Sequence, residues 1–206
     1  MNNYLKDPKE IERRSFEIIT EELGEKKFEE NMGKIVKRVI HTTADFEYAD
    51  LLEFHPEAIE AGKKAIKDGC CIYSDTQMII GGVNKKTLSK VGVRMFNFVH
   101  DEDVAKKALE TGITRSMIAL EKAASDKNIR IFAIGNAPTA LFTLKRLIEE
   151  EKANPDLIIG VPVGFVGAAE SKESIRDLGI PYIITRGRKG GSTVAAAIIN
   201  ALLYMV

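Results

Sequence analysis

From Cys70 onward the chain alternates short apolar runs with stretches of helical periodicity, and this constrains the fold more than any other feature. Apolar runs at residues 70–73, 93–98, 129–134, 157–161 and 181–185 read as strands. Between the second and third runs, residues 101–125 carry Val104, Ala108, Leu109, Gly112, Ala119, Leu120 and Ala123 at helical spacing. Asn136-Ala137-Pro138 opens a further helix with Ala140, Leu141, Leu144, Leu147 and Ile148 on one side. Residues 171–178 form a short helix closed by Gly179, and residues 192–205 form an apolar, buried terminal helix. Strands alternating with helices predict an α/β fold: one domain with a mainly parallel sheet and helices on both faces.

The first third reads differently. Residues 1–69 are expected to be a helical N-terminal part attached to an α/β core at 70–206. Asp7-Pro8 caps and opens a helix reaching Leu23, and a second helix runs from Lys27 to Arg38 and into Val39-Ile40. His41-Thr42-Thr43-Ala44-Asp45 then reads as a break before another helical start.

At 206 residues the chain can bury a full core. Its 30 lysines and arginines balance its 30 aspartates and glutamates, which gives no global argument for nucleic acid or an acidic membrane. Any anionic ligand must be held by a local cluster. Cys70 and Cys71 are adjacent, lack zinc-site spacing, and read as buried free thiols in a reducing cytoplasm. No signal peptide is expected at the N-terminus, and the apolar stretch at 194–206 is too short to cross a bilayer.

In a parallel sheet, ligands sit beyond the carboxyl ends of the strands. Four segments occupy that position: Ser74-Asp75-Thr76, Gly135-Asn136-Ala137, residues 160–167 and residues 186–192. In Arg186-Gly187-Arg188-Lys189-Gly190-Gly191-Ser192, three cations sit among three glycines ahead of a helix. That pattern fits an anion site or a solvated, capped turn, and it has neither P-loop nor dinucleotide-fold spacing. The glycines of 160–167 suit a flat apolar ligand and tight packing equally. On a continuous helix Arg115 projects between Ala108 and Ala119, so its charge needs an internal partner or a ligand. His41 is either structural or a proton-transfer group, whereas His55 and His100 have loop and surface surroundings. No spacing suggests a metal site.

Taken in order, Glu12-Arg13-Arg14-Ser15-Phe16, residues 38–45, Ser74-Asp75-Thr76, Thr114-Arg115-Ser116, residues 135–141, residues 160–166 and residues 186–192 resemble the precorrin-8 methylmutase family. The resemblance spans nearly the whole chain and includes the metal-free and cobalt-dependent branches. It implies a cytoplasmic homodimeric isomerase of cobalamin biosynthesis that uses no cofactor. The methyl group would migrate from ring carbon 11 to carbon 12 of a tetrapyrrole. The substrate would be precorrin-8X or its cobalt complex, the product hydrogenobyrinate or cobyrinate. The same resemblance makes His41 the proton donor to the ring C nitrogen. It places Ser15, Arg38, Thr42, Arg115, Arg186 and Lys189 on the substrate, with Arg188 joining the cationic cluster. A non-catalytic tetrapyrrole- or nucleotide-binding module is the alternative.

Overall fold

The structure, a computed structural model, describes residues 5–206. It opens with α1 (Pro8–Leu23), whose cap is the Asp7 carboxylate, accepting from the Lys9 and Glu10 amides at 2.8 and 3.0 Å. Next come α2 (Glu30–Thr43), the one-turn α3 (Tyr48–Leu51), β1 (Leu52–Phe54) and α4 (Ala58–Lys67). β2 (Cys71–Ser74), α5 (Gln77–Gly82), α6 (Lys85–Lys90) and β3 (Arg94–Phe96) follow. The chain continues through α7 (Glu102–Thr111), α8 (Arg115–Ala124), β4 (Ile129–Ile134) and α9 (Pro138–Glu149). It ends with β5 (Leu157–Gly160), α10 (Ala168–Glu173), a 3-10 turn at Arg176–Leu178, β6 (Tyr182–Thr185) and α11 (Ser192–Leu203).

The six strands form one sheet in the order β1-β6-β5-β4-β2-β3. All neighbours pair in parallel except β1, which joins β6 antiparallel. Successive strand residues face opposite cores. Ile131 and Ala133 of β4 meet α2, α4 and α11, whereas Phe132 and Ile134 meet α7, α8 and α9. Helices therefore cover both faces, as the alternation predicts. α11 is the most buried helix and packs against α2, α4 and α5 on the first face.

Three expectations change. The N-terminal third is not purely helical, since it supplies β1, whose three residues are too few to give a period. The expected helix over residues 101–125 is two helices. Gly112 ends α7 in the left-handed conformation at φ +71°, and Thr114 caps α8 by accepting from the Met117 amide. Finally, α2 does not stop at Ile40. It continues through His41 and Thr42, and Ala44 ends it at φ +52°.

Candidate functional site at the carboxyl edge of the sheet

The strand order reverses between β2 and β4, since β2 leads outward to β3 and β4 leads the other way to β5. Such a switch point opens a crevice where parallel sheets commonly bind ligands. Here a protein group fills it. Asp75, just past β2, is 4% exposed. Its carboxylate accepts from the Gly135 amide at 2.9 Å and from those of Asn136 and Ala137 at 2.8 Å, the donors at the start of α9. Burial pushes this carboxyl upward in pKa, and the three N–H donors pull against that shift. A phosphate would seek the same donors, so the anion pocket of a nucleotide fold is already occupied.

The start of α11 rests on the same edge. A Cβ on Gly135 would lie 2.8 Å from Ser192 Cα, so only glycine permits this approach. Thr76 and Ser192 are linked through their hydroxyls at 2.9 Å. The loop before α11 is pinned from below: the Gly191 amide donates to the Val161 carbonyl at 2.8 Å, and the Gly164 amide to the Arg188 carbonyl at 3.1 Å.

The cations of this loop diverge. Lys189 forms ion pairs with Asp45 at 2.6 Å and Glu47 at 2.7 Å, and these bonds raise its ammonium pKa. Arg186 pairs with Glu53 at 3.1 Å and donates to the Asp50 carbonyl. Arg188 lies over the Phe165 ring, 5.5 Å from its centre, with no carboxylate partner among the described residues. Lys189 and Arg186 thus fasten the loop to the segment that follows α2.

That segment carries the second half of the site. Asp45 lies just beyond the end of α2, which therefore reaches the start of α11 at the carboxyl edge. His41, in the last turn of α2, is exposed and stacks on Phe16 of α1 with ring centres 5.1 Å apart and planes 15° apart. Arg38, one turn earlier, puts its guanidinium 4.7 Å from the centre of Phe16 and 5.0 Å from that of Tyr204. It also pairs with Glu12 at 2.8 Å. The hydroxyls of Thr42 and Ser15 each bond back to their own helix, at the Arg38 and Ile11 carbonyls. A groove of about 800 Å³ runs away from this cluster between α2 and the end of α11. Phe16, Phe28 and Tyr204 give it apolar walls, with Lys37 and Arg38 among the cations lining it.

Arg115 stands apart. As the first residue of α8 it is exposed on the other face of the sheet, not on an apolar stripe. The break at Gly112 resets the helical phase on which that expectation depended. Arg115 still lies on the carboxyl edge, since the Thr114 and Thr139 hydroxyls are 3.4 Å apart and Thr139 opens α9. It has no ion-pair partner among the described residues.

The family model for precorrin-8X methylmutase matches residues 10–205. The chain belongs to the precorrin-8X methylmutase family. A cobalt-precorrin-8 methylmutase of Priestia megaterium is 50% identical, with the alignment covering 95% of this chain and 87% of that protein. A precorrin-8X methylmutase of Pseudomonas aeruginosa is 41% identical, with 98% of each chain covered. The crystal structure of a precorrin-8x methyl mutase from Thermus thermophilus superposes with a TM-score of 0.89 at 38% identity, covering 96% of this chain and 95% of that one.

Of the residues that the methylmutase resemblance singled out, the structure brings Arg38 and His41 together on Phe16, with Thr42 beside them on α2 and Ser15 next to Phe16 on α1. It ties Arg186 and Lys189 to the adjacent segment and leaves Arg115 across the sheet. Sequence reasoning gave no role to Phe16 or Asp75, although both lie in quoted motifs, and did not notice Lys172. The imidazole of His41 and the planar guanidinium of Arg38, one turn apart, both lie over the Phe16 ring.

Proposed function

We propose that this chain catalyses the methyl migration for which its relatives are named, on precorrin-8X or its cobalt complex, with His41 as proton donor. The observation that carries this reading is the His41–Phe16 stack in the last turn of α2, flanked by Arg38 and Thr42. It gives an exposed proton-transfer group beside an apolar wall and a cationic rim, which suits a flat polycarboxylate. A methyl shift within a conjugated ring has no leaving group to capture. Protonation of a ring nitrogen by the imidazolium draws electrons from the ring and favours migration; once the methyl has moved, the ring nitrogen gives that proton back to the neutral imidazole, so none is consumed. The protein's remaining task is to orient the ring and place charge.

In this reading Arg115 and Arg188 take substrate carboxylates directly, because no carboxylate of the described residues holds them. Arg38, Arg186 and Lys189 do so by exchanging Glu12, Glu53, Asp45 and Glu47 for the ligand. Ser15 and Thr42 exchange their back-bonds to the Ile11 and Arg38 carbonyls for the ligand. Among the described residues no group of three or more His, Cys, Asp or Glu could hold a metal ion. Cobalt, where present, enters with the substrate.

The working unit in this proposal is a cytoplasmic homodimer. Val163, Phe165 and Val166 are exposed by 48%, 82% and 90%, and Phe142 lies beside Gly167 to extend that apolar patch. The two free cysteines are compatible with a reducing compartment.

The test is separate incubation of the purified protein with precorrin-8X and with its cobalt complex, followed by visible spectroscopy. Conversion of at least one to a corrin spectrum supports the reading. Binding of a nucleotide, with no spectral change from either tetrapyrrole, favours the alternative module.

A further inference from the structure

The cationic loop stands on a buried amine. Lys172 of α10 is 1% exposed and ranks among the largest fully buried side chains. Its Nζ donates to the Lys189 carbonyl at 2.9 Å and to the Thr185 hydroxyl at 3.1 Å. The Thr185 hydroxyl donates to the same carbonyl at 2.8 Å. No carboxylate of the described residues lies within ion-pair distance of Lys172. Burial lowers its ammonium pKa to about 8.

A buried ammonium without a counter-ion is unfavourable for folding. A methionine of similar length would fill the space and remove the uncompensated charge, but it would lose the bond to the Lys189 carbonyl and the one that orients the Thr185 hydroxyl. What the amine supplies is therefore the setting of the loop rather than net stability. The Lys189 carbonyl lies at the centre of the loop, between Arg188, clamped by Gly164, and Gly191, clamped by Val161. Anchoring that carbonyl sets the directions in which the side chains on either side can point. The uncompensated charge also lies directly beneath the loop, where low dielectric weakens its screening.

We propose that Lys172 is a positioning residue for substrate binding: through its bonds to the Lys189 carbonyl and the Thr185 hydroxyl it fixes the loop at 186–192 from beneath in the form that receives a substrate carboxylate. This rests on the reading that the loop receives carboxylates. Lys172 does not itself touch the ring.

The experiment compares wild type, Lys172→Met and Thr185→Val for thermal stability, affinity for the corrin product, and kcat and KM. Lys172→Met is expected to keep or raise Tm while weakening corrin affinity about tenfold, the scale of one lost hydrogen bond. KM should rise with kcat little changed. In the Arg188→Ala background the loss should shrink, because both changes act on the same loop. Thr185→Val, which removes the shared hydroxyl, should weaken affinity in the same direction. A lowered Tm with unchanged affinity in Lys172→Met would reduce the residue to a structural role and overturn the proposal. If Lys172→Met does not fold, unchanged affinity in Thr185→Val overturns it instead. A wild type that binds no corrin defeats the underlying reading, whereas corrin binding indifferent to Lys172 defeats only this inference.

Discussion

His41 is exposed, and its role is argued from what it touches. Stacking on Phe16 holds the imidazole in one plane at the end of α2 while leaving its nitrogens able to reach a ligand. His41→Asn keeps part of the hydrogen-bonding capacity and cannot deliver a proton. Its turnover should fall by about 10²–10⁴ with corrin affinity nearly intact. Near-wild-type turnover would leave His41 an orienting role. Lys172 makes a prediction of a different kind. Its ammonium pKa falls from 10.5 in the unfolded chain to about 8 in the folded one. The unfolded state then binds more protons between those values, so this group makes stability rise with pH across that window. The full effect is at most about 3 kcal/mol. Denaturant unfolding at both ends of the window should show this rise in wild type and its loss in Lys172→Met. At this scale the sequence was half legible. His41, Arg38 and Ser15 could be chosen by resemblance, and the two helices bring them together. Phe16 is one apolar position of the first helix with nothing local to set it apart, and no motif draws in Lys172. Nothing local marks a lysine as buried when the groups that bury it are a strand and a loop thirteen or more residues away.

The elements that shape the site are short turns fixed by close contact. Asp75 joins the end of β2 to the start of α9 through three amide donors. Asp75→Ala would leave those donors buried and unpaired, at a cost of roughly 3 kcal/mol or more. The variant should unfold at lower denaturant with an unchanged m-value. A midpoint equal to wild type would mean that water replaces the carboxylate freely. Gly135→Ala would drive a methyl into the backbone of Ser192 and displace α11, so it should destabilise the fold despite the small change. The strands from β2 onward were legible to within a few residues, because buried parallel strands are apolar runs bounded by turns. β1 was not, since it is three residues long and takes its strand form from pairing with β6. The split of the 101–125 segment was marked by Gly112 and Thr114, a stop and a cap. Apolar spacing continuing across both hid it and put Arg115 on the wrong face.

For the whole molecule, the parallel sheet makes one edge the meeting place of segments distant in sequence. The segment that follows α2, the Asp75 turn and the loop at 186–192 meet there, with ion pairs from Lys189 and Arg186 joining the first to the last. The exposed apolar segment around Phe165 also lies on that side, following β5. The homodimer proposal predicts twice the monomer mass by light scattering, and a shift toward monomer in Phe165→Ser. A monomeric wild type at micromolar concentration would contradict it. The methyl migration itself is best followed directly. A tetrapyrrole substrate carrying a ¹³C label in the migrating methyl is mixed with stoichiometric wild-type protein, and the label is observed by NMR in a single turnover. The account predicts that the labelled methyl moves from ring carbon 11 to carbon 12 without added cofactor. A bound, spectrally perturbed ring whose labelled methyl stays on its original carbon would contradict it.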